Sequence, residues 1–425
     1  MSFKEFFDYH LKTKHSYFSI RNYPNRLSWD NQPIVFKTYD MYEKYELNID
    51  NSMHGFLYYI AGLNAKKSYP GVEYYLRMNP SAGALYPNEI YFQSRNNENI
   101  KDGVYHLDIV SMSMTLLSSI KDEGLEKDIG LDTKVDGFIF FISSLYYRSS
   151  WKYKNRAFRY CLLDGGHILG SLEASCYLYD KNYEIIYDFD KKSLNNKFNF
   201  KNEEFFQSCV IVGTKTDAEV ISFDLNINNV DGTYFFEPNE IIEKAYNDSL
   251  QIINAKRQEE KPYFYYDKEA FKDIIFKRRS IRGFSKQAIK KEEFFKILDI
   301  LNEKITSDCD EEIDIYCVIN RVKSMPLGLF KGLEYIKKGD FQNQAGYLCL
   351  EQDLGKDSAV TFFITSKGKN YQALYQKAGI IGHRLYLAAN YLGYGCSGIG
   401  AYYDDEVCTF LEDNTMVLYA LAIGN

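Results

Sequence analysis

A short cluster of basic residues could bind an anion. The segment KRRSIRGF places Lys277, Arg278, Arg279 and Arg282 around Ser280. Forked guanidinium groups beside a hydroxyl group suit the recognition of a phosphate monoester. The alternative is a basic helix end that faces solvent, and on this motif alone that alternative is the simpler one. The segment is therefore a candidate phosphate site that needs support from the rest of the chain.

Two segments rich in small residues could approach a flat ligand closely. In NPSAGALYP the two prolines restrict the backbone at both ends, while the residues between them are small enough for backbone contact with a planar ring. In CSGIG the glycines stand beside an apolar run that predicts a strand. The alternative for both segments is an ordinary turn beside a strand. The candidate residues are Pro80, Ser81, Ala82, Gly83 and Leu85 in the first segment, and Gly398, Ile399 and Gly400 in the second.

A lysine next to a tyrosine could transfer a proton. The segment SSWKYKNRAFRY contains Lys152 directly before Tyr153. An ammonium group near a phenol favours the phenolate form, which suits proton abstraction. Taken singly, a surface lysine beside a packed tyrosine is the simpler interpretation.

Two similar groups of elements would position these residues. The apolar runs 137–145 (GFIFFISSL) and 359–367 (AVTFFITSK) predict strands, and each precedes a helical stretch. In both helices the apolar residues follow the three-then-four spacing of one buried face. Aligning Gly166 with Gly379 also aligns Leu172 with Leu385. We therefore predict two diverged copies of one α/β unit.

Each copy has retained what the other lacks. The first copy contains PSAG and Lys-Tyr, whereas the second contains RRSIR and CSGIG. This distribution predicts one composite site per chain, built by both copies. In place of RRSxR the first copy has KTKHSY, with Lys14 and Ser16, which leaves a second site open. The predicted division is a first domain at 1–225, a linker with a helix at 226–268, and a second domain at 269–425.

Composition excludes several classes of protein. The chain has 425 residues, is 45% hydrophobic and carries a net charge of −7, which gives no global electrostatic reason to bind nucleic acid or an anionic membrane. The eight cysteines form no CxxC pair and the six histidines no ligand spacing, so no metal site is expected. The first residues lack an apolar signal-peptide core, which predicts a cytoplasmic protein.

Taken together, these segments resemble the SagB/ThcOx-type dehydrogenases of the nitroreductase-like flavoprotein superfamily, in their tandem-domain form. The resemblance runs nearly end to end. It implies an α+β fold with two nitroreductase-like domains, each a mainly antiparallel sheet flanked by helices, that form a pseudo-dimer within one chain. The matching segments are YHLKTKHSYFS (9–19), LSWDNQPIVFKTY (27–39), PSAGALYP (80–87), WKYKNRAFRYCLLDGGH (151–167), RRSIRGF (278–284) and CSGIGAYYDDEV (396–407).

The resemblance implies FMN as the cofactor. In nitroreductase-like proteins the RRSxR segment binds the flavin phosphate, the glycine segment after the long helix lies by the isoalloxazine ring, and the Pro-Ser loop comes from the partner subunit. Carried over by motif, these roles fall to Arg278, Arg279, Ser280, Arg282, Gly398, Ile399 and Gly400 from one half, and to Pro80, Ser81, Ala82, Gly83 and Leu85 from the other.

The resemblance also implies a reaction. Family members that act on ribosomal peptides oxidise thiazoline or oxazoline rings to azoles, and their Lys-Tyr pair matches Lys152 and Tyr153. Tyr153 is then the better candidate to remove a proton from the ring carbon while hydride moves to flavin N5. Assembly with a cyclodehydratase is implied as well, and the chain itself could be a monomer or a homo-oligomer.

Two alternatives remain open from the sequence. The first keeps FMN but makes the protein an NAD(P)H-dependent reductase of nitro compounds, quinones or another natural product. The second is a flavin-free scaffold subunit of a biosynthetic complex. The Lys-Tyr pair favours azoline oxidation over the first alternative, and joint retention of RRSIR, PSAG and GIG disfavours the second.

Overall fold

A computed structural model of the chain describes residues 3–22, 27–69, 72–258 and 260–425. Internal contacts divide it into two compact units. The N-terminal unit comprises residues 27–260 together with 306–310, and the C-terminal unit comprises residues 1–26, 261–305 and 311–425. The first 26 residues thus belong to the C-terminal unit, whereas the predicted first domain included them. The boundary between the units at 260–261 lies inside the predicted linker, residues 226–268.

The elements up to residue 260 include a run of strands over residues 63–145, with no α-helix among the described residues of that range. Several helices begin at a side chain that accepts backbone N–H groups, as Asn51 does for Met53 and His54. The elements are α1 (Phe3–Lys12), α2 (Tyr17–Arg21), β1 (Glu43–Glu46), α3 (Ser52–Ala61), β2 (Leu63–Tyr69), β3 (Val72–Arg77), β4 (Asn88–Arg95), β5 (Gly103–Asp108), β6 (Ser113–Ser119), β7 (Glu123–Gly124), β8 (Thr133–Leu145), α4 (Tyr146–Tyr153), α5 (Ala157–Leu178), β9 (Glu184–Ile186), α6 (Lys191–Lys197), β10 (Glu204–Glu219), β11 (Ile221–Ser222) and α7 (Glu240–Asp248).

The remaining elements belong to the C-terminal unit. The first of them begins at Asp267, whose carboxylate accepts the N–H of Ala270 at 2.9 Å. They are α8 (Lys268–Lys277), α9 (Lys291–Asn302), β12 (Asp314–Ile319), β13 (Gly328–Lys331), β14 (Glu334–Lys338), α10 (Gln342–Leu348), α11 (Asp353–Asp357), β15 (Val360–Ser366), α12 (Tyr371–Tyr391), β16 (Gly395–Ile399), α13 (Asp404–Leu411) and β17 (Met416–Gly424).

Each unit contains one large antiparallel sheet, and the two sheets share a strand order. The N-terminal unit has the order β1-β6-β5-β4-β8-β10-β9, and the C-terminal unit has β14-β13-β12-β15-β17-β16. In each unit a long helix lies in the sequence between a central strand and an edge strand. Helix α5 lies between β8 and β9, and helix α12 lies between β15 and β16. This correspondence of β8 with β15 and of β9 with β16 supports the predicted duplication. The predicted α+β fold class, with two sheet-bearing units, is confirmed.

The long helices are buried more completely than their apolar spacing predicted. In α5 every residue from Ala157 to Cys176 is buried, and in α12 every residue from Tyr371 to Ala389. The sequence predicted one buried face, because the other faces carry polar residues. Some of these polar side chains are instead buried with hydrogen-bond partners from the same unit, as Asp164 is with Ser81.

Aromatic and aliphatic side chains fill a separate core in each unit. In the N-terminal unit the core includes Tyr91, Phe141 and Phe206 from three adjacent strands. In the C-terminal unit it includes Phe363 and Val417 from the paired strands β15 and β17.

Across the described ranges no helix combines the length and the apolar character that a membrane span requires.

Candidate functional site

The basic segment joins the edge strand of the C-terminal unit. Helix α8 ends at Lys277, and the chain beyond it extends beside β16. Ser280 forms a parallel bridge with Cys396, and the N–H of Ile281 donates to the carbonyl of Cys396 at 3.2 Å. The structure therefore brings RRSIR and CSGIG together, although Ile281 and Cys396 lie 115 positions apart in the sequence.

Tyr386 of α12 connects these two segments. Its hydroxyl oxygen lies 2.8 Å from the Ser280 hydroxyl and accepts the N–H of Gly398 at 2.6 Å. The guanidinium of Arg278 lies over its ring, 5.2 Å from the centroid. Burial raises the pKa of Tyr386, so the phenol stays protonated at neutral pH. Sequence reasoning missed Tyr386, because a tyrosine in a mostly apolar helix gives no signal of its own.

The arginines of this segment have unequal exposure. Arg278 is buried, Arg279 is half-buried and Arg282 is exposed. Arg279 donates from Nη1 to the carbonyl of Arg278 at 2.6 Å. Lys277 forms a surface ion pair with Asp273 at 2.7 Å. The donor set around Ser280 is cationic and rich in N–H and O–H groups, which fits a phosphate monoester.

The glycines after α12 have a packing role that the sequence did not reveal. A Cβ on Gly398 would lie 2.1 Å from the hydroxyl oxygen of Tyr419, so a side chain there would require the Tyr419 ring to move. Ile399 is buried in the core of the C-terminal unit, and Gly400 is half-buried. Contact between a ring and this segment stays a prediction.

In the N-terminal unit a buried carboxylate holds the small-residue loop. Ser81 donates from Oγ to Asp164 Oδ2 at 2.6 Å, and the N–H of Ala82 donates to the same carboxylate at 3.1 Å. Ser81 Oγ also accepts the N–H of Tyr86 at 2.9 Å. The φ angles of Gly83, Ala84 and Tyr86 are +66°, +54° and +43°. Two non-glycine residues with left-handed backbone within four positions mark a strained loop, and such strain concentrates at functional sites.

The loop lies against the Lys-Tyr pair. A Cβ on Gly83 would be 2.7 Å from the hydroxyl oxygen of Tyr153 and 3.3 Å from Lys152 Nζ. Lys152 Nζ is 5.5 Å from the centroid of the Tyr153 ring, and both side chains are half-buried. Leu85 packs with Trp151 in a small cluster that Tyr153 also contacts. The structure thus brings together the predicted residues of PSAG and of the Lys-Tyr pair, which the sequence places about 70 positions apart.

Asp164 is the second residue that sequence reasoning missed. Burial raises its pKa to about 7, and the hydrogen bonds from Ser81 and Ala82 oppose that shift. The signal in the sequence was present: Asp164 stands next to the apolar residues Leu162 and Leu163 of α5, and an aspartate is costly to bury without partners.

The counterpart of the basic segment in the N-terminal unit is acidic. Residues 306–310 lie beside the edge strand β9, where Ser307 forms a parallel bridge with Ile185. The carboxylate of Asp308 accepts the N–H groups of Tyr187 and Asp188, each at 2.9 Å. This bridge has the same place in the topology as the bridge between Ser280 and Cys396.

The KTKHSY segment does not occupy that place. It lies in the C-terminal unit, where Lys14 forms an ion pair with Asp405 at 2.6 Å and the N–H of His15 donates to Asp404 at 2.8 Å. Ser16 caps the short helix α2. The polar groups of KTKHSY are used against α13, so this segment does not supply a basic segment beside β9.

Comparisons with known proteins agree with this fold. Residues 275–425 match the model of the Nitroreductase family. No curated protein matches the sequence. A crystal structure from Anabaena variabilis, provisionally named a nitroreductase, is 24% identical, covers 99% of each chain and has a TM-score of 0.82.

Two further solved structures match at TM-scores that support no conclusion about this chain. One is the E. coli microcin synthetase McbBCD complex with truncated pro-MccB17 bound, at 16% identity over 51% of this chain and 95% of that chain, with a TM-score of 0.33. The other is the NfrA1 nitroreductase from B. subtilis, at 19% identity over 36% of this chain and 66% of that chain, with a TM-score of 0.29. From its similarity to the Anabaena structure over nearly its whole length, the chain has the nitroreductase fold, and residues 275–425 are similar to the Nitroreductase family.

Proposed function

We propose that the protein is an FMN-dependent dehydrogenase that oxidises azoline rings, thiazoline or oxazoline, to azoles in a ribosomally made peptide. The observation that carries this proposal is the closeness of the Gly83 backbone to the pair: a Cβ there would lie 2.7 Å from the Tyr153 hydroxyl oxygen and 3.3 Å from Lys152 Nζ. A base for carbon acids must lie within hydrogen-bond reach of the proton it removes, beside a surface that a flat ring can approach. The loop at Gly83 offers such a surface, since it has no side chain there.

The residues of the C-terminal unit fit the phosphate end of FMN. Arg278, Arg279 and Arg282 supply positive charge and the hydroxyl of Ser280 a further donor, as a phosphate monoester requires. We propose that Gly398, Ile399 and Gly400 lie near the flavin ring, and that Pro80, Ser81, Ala82, Gly83 and Leu85 contribute to the same cofactor. The support for a shared cofactor is that each half carries the segment the other lacks.

When bound, FMN supplies the acceptor for the hydride that leaves the azoline ring. The side chains of the protein remove the proton from the azoline ring. Tyr153 accepts the proton from the ring carbon at its hydroxyl oxygen, and the ammonium of Lys152 favours the phenolate that this requires. The half-buried position of both side chains limits the access of water to that proton.

The proposal is tested with purified protein and a synthetic peptide that contains one thiazoline ring. We expect bound FMN, released by denaturation and measured by absorbance, and loss of two hydrogen atoms from the peptide, measured by mass spectrometry. Lys152→Ala and Tyr153→Phe should each lower turnover by roughly 10²- to 10⁴-fold while FMN stays bound. Tyr234→Phe is a matched control, because Tyr234 is 93% exposed. Full activity of both pair variants would contradict the proposed roles.

The second candidate is an NAD(P)H-dependent reductase of nitro compounds or quinones. The match of residues 275–425 to the Nitroreductase family is the observation that favours it. Rapid NADH oxidation with a nitroaromatic acceptor, without any oxidation of the thiazoline peptide, would establish this candidate over the first. A protein that binds no FMN after incubation with excess FMN would leave only a scaffold role.

A further inference from the structure

We propose that Asp164 is a positioning residue that holds the 80–86 loop against the Lys152–Tyr153 pair, and that proton transfer by the pair requires Asp164 to be ionised. This inference rests on the proposed function, because it assigns the loop a part in the same proton transfer. The hydrogen bonds described for Asp164 go to Ser81 and Ala82 of the loop and not to Lys152 or Tyr153. Asp164 therefore acts on the pair through the loop.

The geometry shows why one carboxylate can set the loop. Its two oxygens accept from the Ser81 hydroxyl and from the N–H of Ala82, which fixes the first turn of the loop at two adjacent residues. Ser81 Oγ then accepts the N–H of Tyr86, so the same side chain ties the end of the loop to its start. Gly83 lies between these fixed points, and its position against Tyr153 follows from them.

The loop has a reason to depend on this support. Ala84 and Tyr86 adopt left-handed backbone angles that L-residues rarely adopt, so the loop needs compensating interactions to persist. An ionised carboxylate accepts stronger hydrogen bonds than a neutral carboxylic acid, since charge-assisted hydrogen bonds are about twice as strong as neutral ones. Protonation would weaken the two bonds that hold Ser81 and Ala82.

Arg77 and Cys161 are two titratable groups that interact with Asp164. Arg77 at the end of β3 favours its ionised form by charge attraction. Cys161 lies one turn earlier on α5, and burial raises the pKa of its thiol far above neutral pH, so it stays protonated. Burial raises the pKa of Asp164 to about 7, which places its ionisation within the working range of an enzyme. The buried carboxyl, rather than its neighbours, therefore titrates near neutral pH.

The test combines hydrogen exchange with a pH profile. Asp164→Asn keeps the shape but removes the charge, and Ser81→Ala removes one partner and keeps the carboxyl. Asp308→Asn is the matched control, because Asp308 is also a buried carboxyl that accepts backbone N–H groups, from Tyr187 and Asp188. Exchange at the amides of residues 81–86 is followed by mass spectrometry with FMN-loaded full-length protein.

In Asp164→Asn and Ser81→Ala we expect roughly 10- to 100-fold faster exchange at Ala82 and Tyr86, and no change in Asp308→Asn. With the thiazoline peptide, wild-type turnover should rise with pH through about 7. In Asp164→Asn turnover should be lower by roughly 10-fold at pH 8, without that rise. Unchanged amide exchange at Ala82 and Tyr86 in both variants would overturn the inference. So would a turnover of Asp164→Asn that still rises with pH through about 7, as the wild type does. If wild-type protein does not oxidise the peptide, the proposed function fails, and the exchange data alone decide whether Asp164 holds the loop.

Discussion

The buried carboxyl of Asp164 should make the stability of the N-terminal unit depend on pH. Its folded-state pKa of about 7 lies above the ordinary value of 3.8 because burial disfavours the charged form. Between these two values the folded state binds a proton that the unfolded state has lost. Stability from this group is therefore complete at low pH, falls as the pH rises from about 4 to about 7, and is constant above that.

The size of the effect follows from the same two values. From about pH 5 to about pH 8.5 this group should lower the free energy of unfolding by about 3 kcal/mol. Asp164→Asn cannot ionise, so it loses this dependence while the other titrating groups are unchanged. The difference in unfolding free energy between Asp164→Asn and wild type should grow by about 3 kcal/mol over that range, in favour of the variant.

The assay is urea unfolding followed by tryptophan fluorescence. The chain has two tryptophans, Trp29 and Trp151, and both belong to the N-terminal unit, so the signal reports the unit that contains Asp164. Ser81→Ala provides the control, because it retains the titrating carboxyl and should retain the pH dependence. A difference between Asp164→Asn and wild type that is the same at both pH values would refute the reasoning.

Three further results follow from the contacts described. Gly83→Ala should abolish most peptide oxidation while FMN stays bound, because the new Cβ would lie 2.7 Å from the Tyr153 hydroxyl at a φ of +66°; wild-type turnover would contradict the packing. Tyr386→Phe should weaken FMN binding roughly 10-fold in a fluorescence titration, because it removes the hydroxyl that contacts both Ser280 and Gly398. Unchanged affinity would show that Tyr386 does not support the phosphate site. Released flavin should amount to about one FMN per chain, because the acidic carboxylate of Asp308 occupies the N-terminal counterpart of the basic segment; two per chain would show that this counterpart still binds.

The central strands and the long helices could be predicted from the sequence, because they follow from local patterns of apolar residues. The runs at 137–145 and 359–367 became the central strands β8 and β15, and the helical spacing after each became α5 and α12. These patterns are strong because a central strand is apolar on both faces and a long buried helix tolerates few charges. The duplication was predictable for the same reason.

Contacts between distant residues were not predictable in this way. The similarity of KTKHSY to RRSxR was local, whereas its actual partners, Asp404 and Asp405, lie almost 400 residues further along the chain. Likewise, the two residues that organise the candidate sites, Asp164 and Tyr386, lie in long helices that carry several other polar residues, so the sequence does not single them out. Their partners come from loops whose paths depend on the whole fold.

The two units present opposite charge at the same place in their topology, and for this reason we expect an anion to bind beside β16 and not beside β9. Beside β16 the chain presents Arg278 and Ser280, whereas beside β9 it presents Asp308. In the N-terminal unit that carboxylate already accepts the N–H groups of Tyr187 and Asp188, as a bound phosphate would. A phosphate there would have to displace a carboxylate that is part of the chain and would be repelled by it. Under the proposed function, Asp308 therefore supplies from within the chain the negative charge that the flavin phosphate would supply beside β16, and the N-terminal unit contributes the loop, Lys152 and Tyr153 instead.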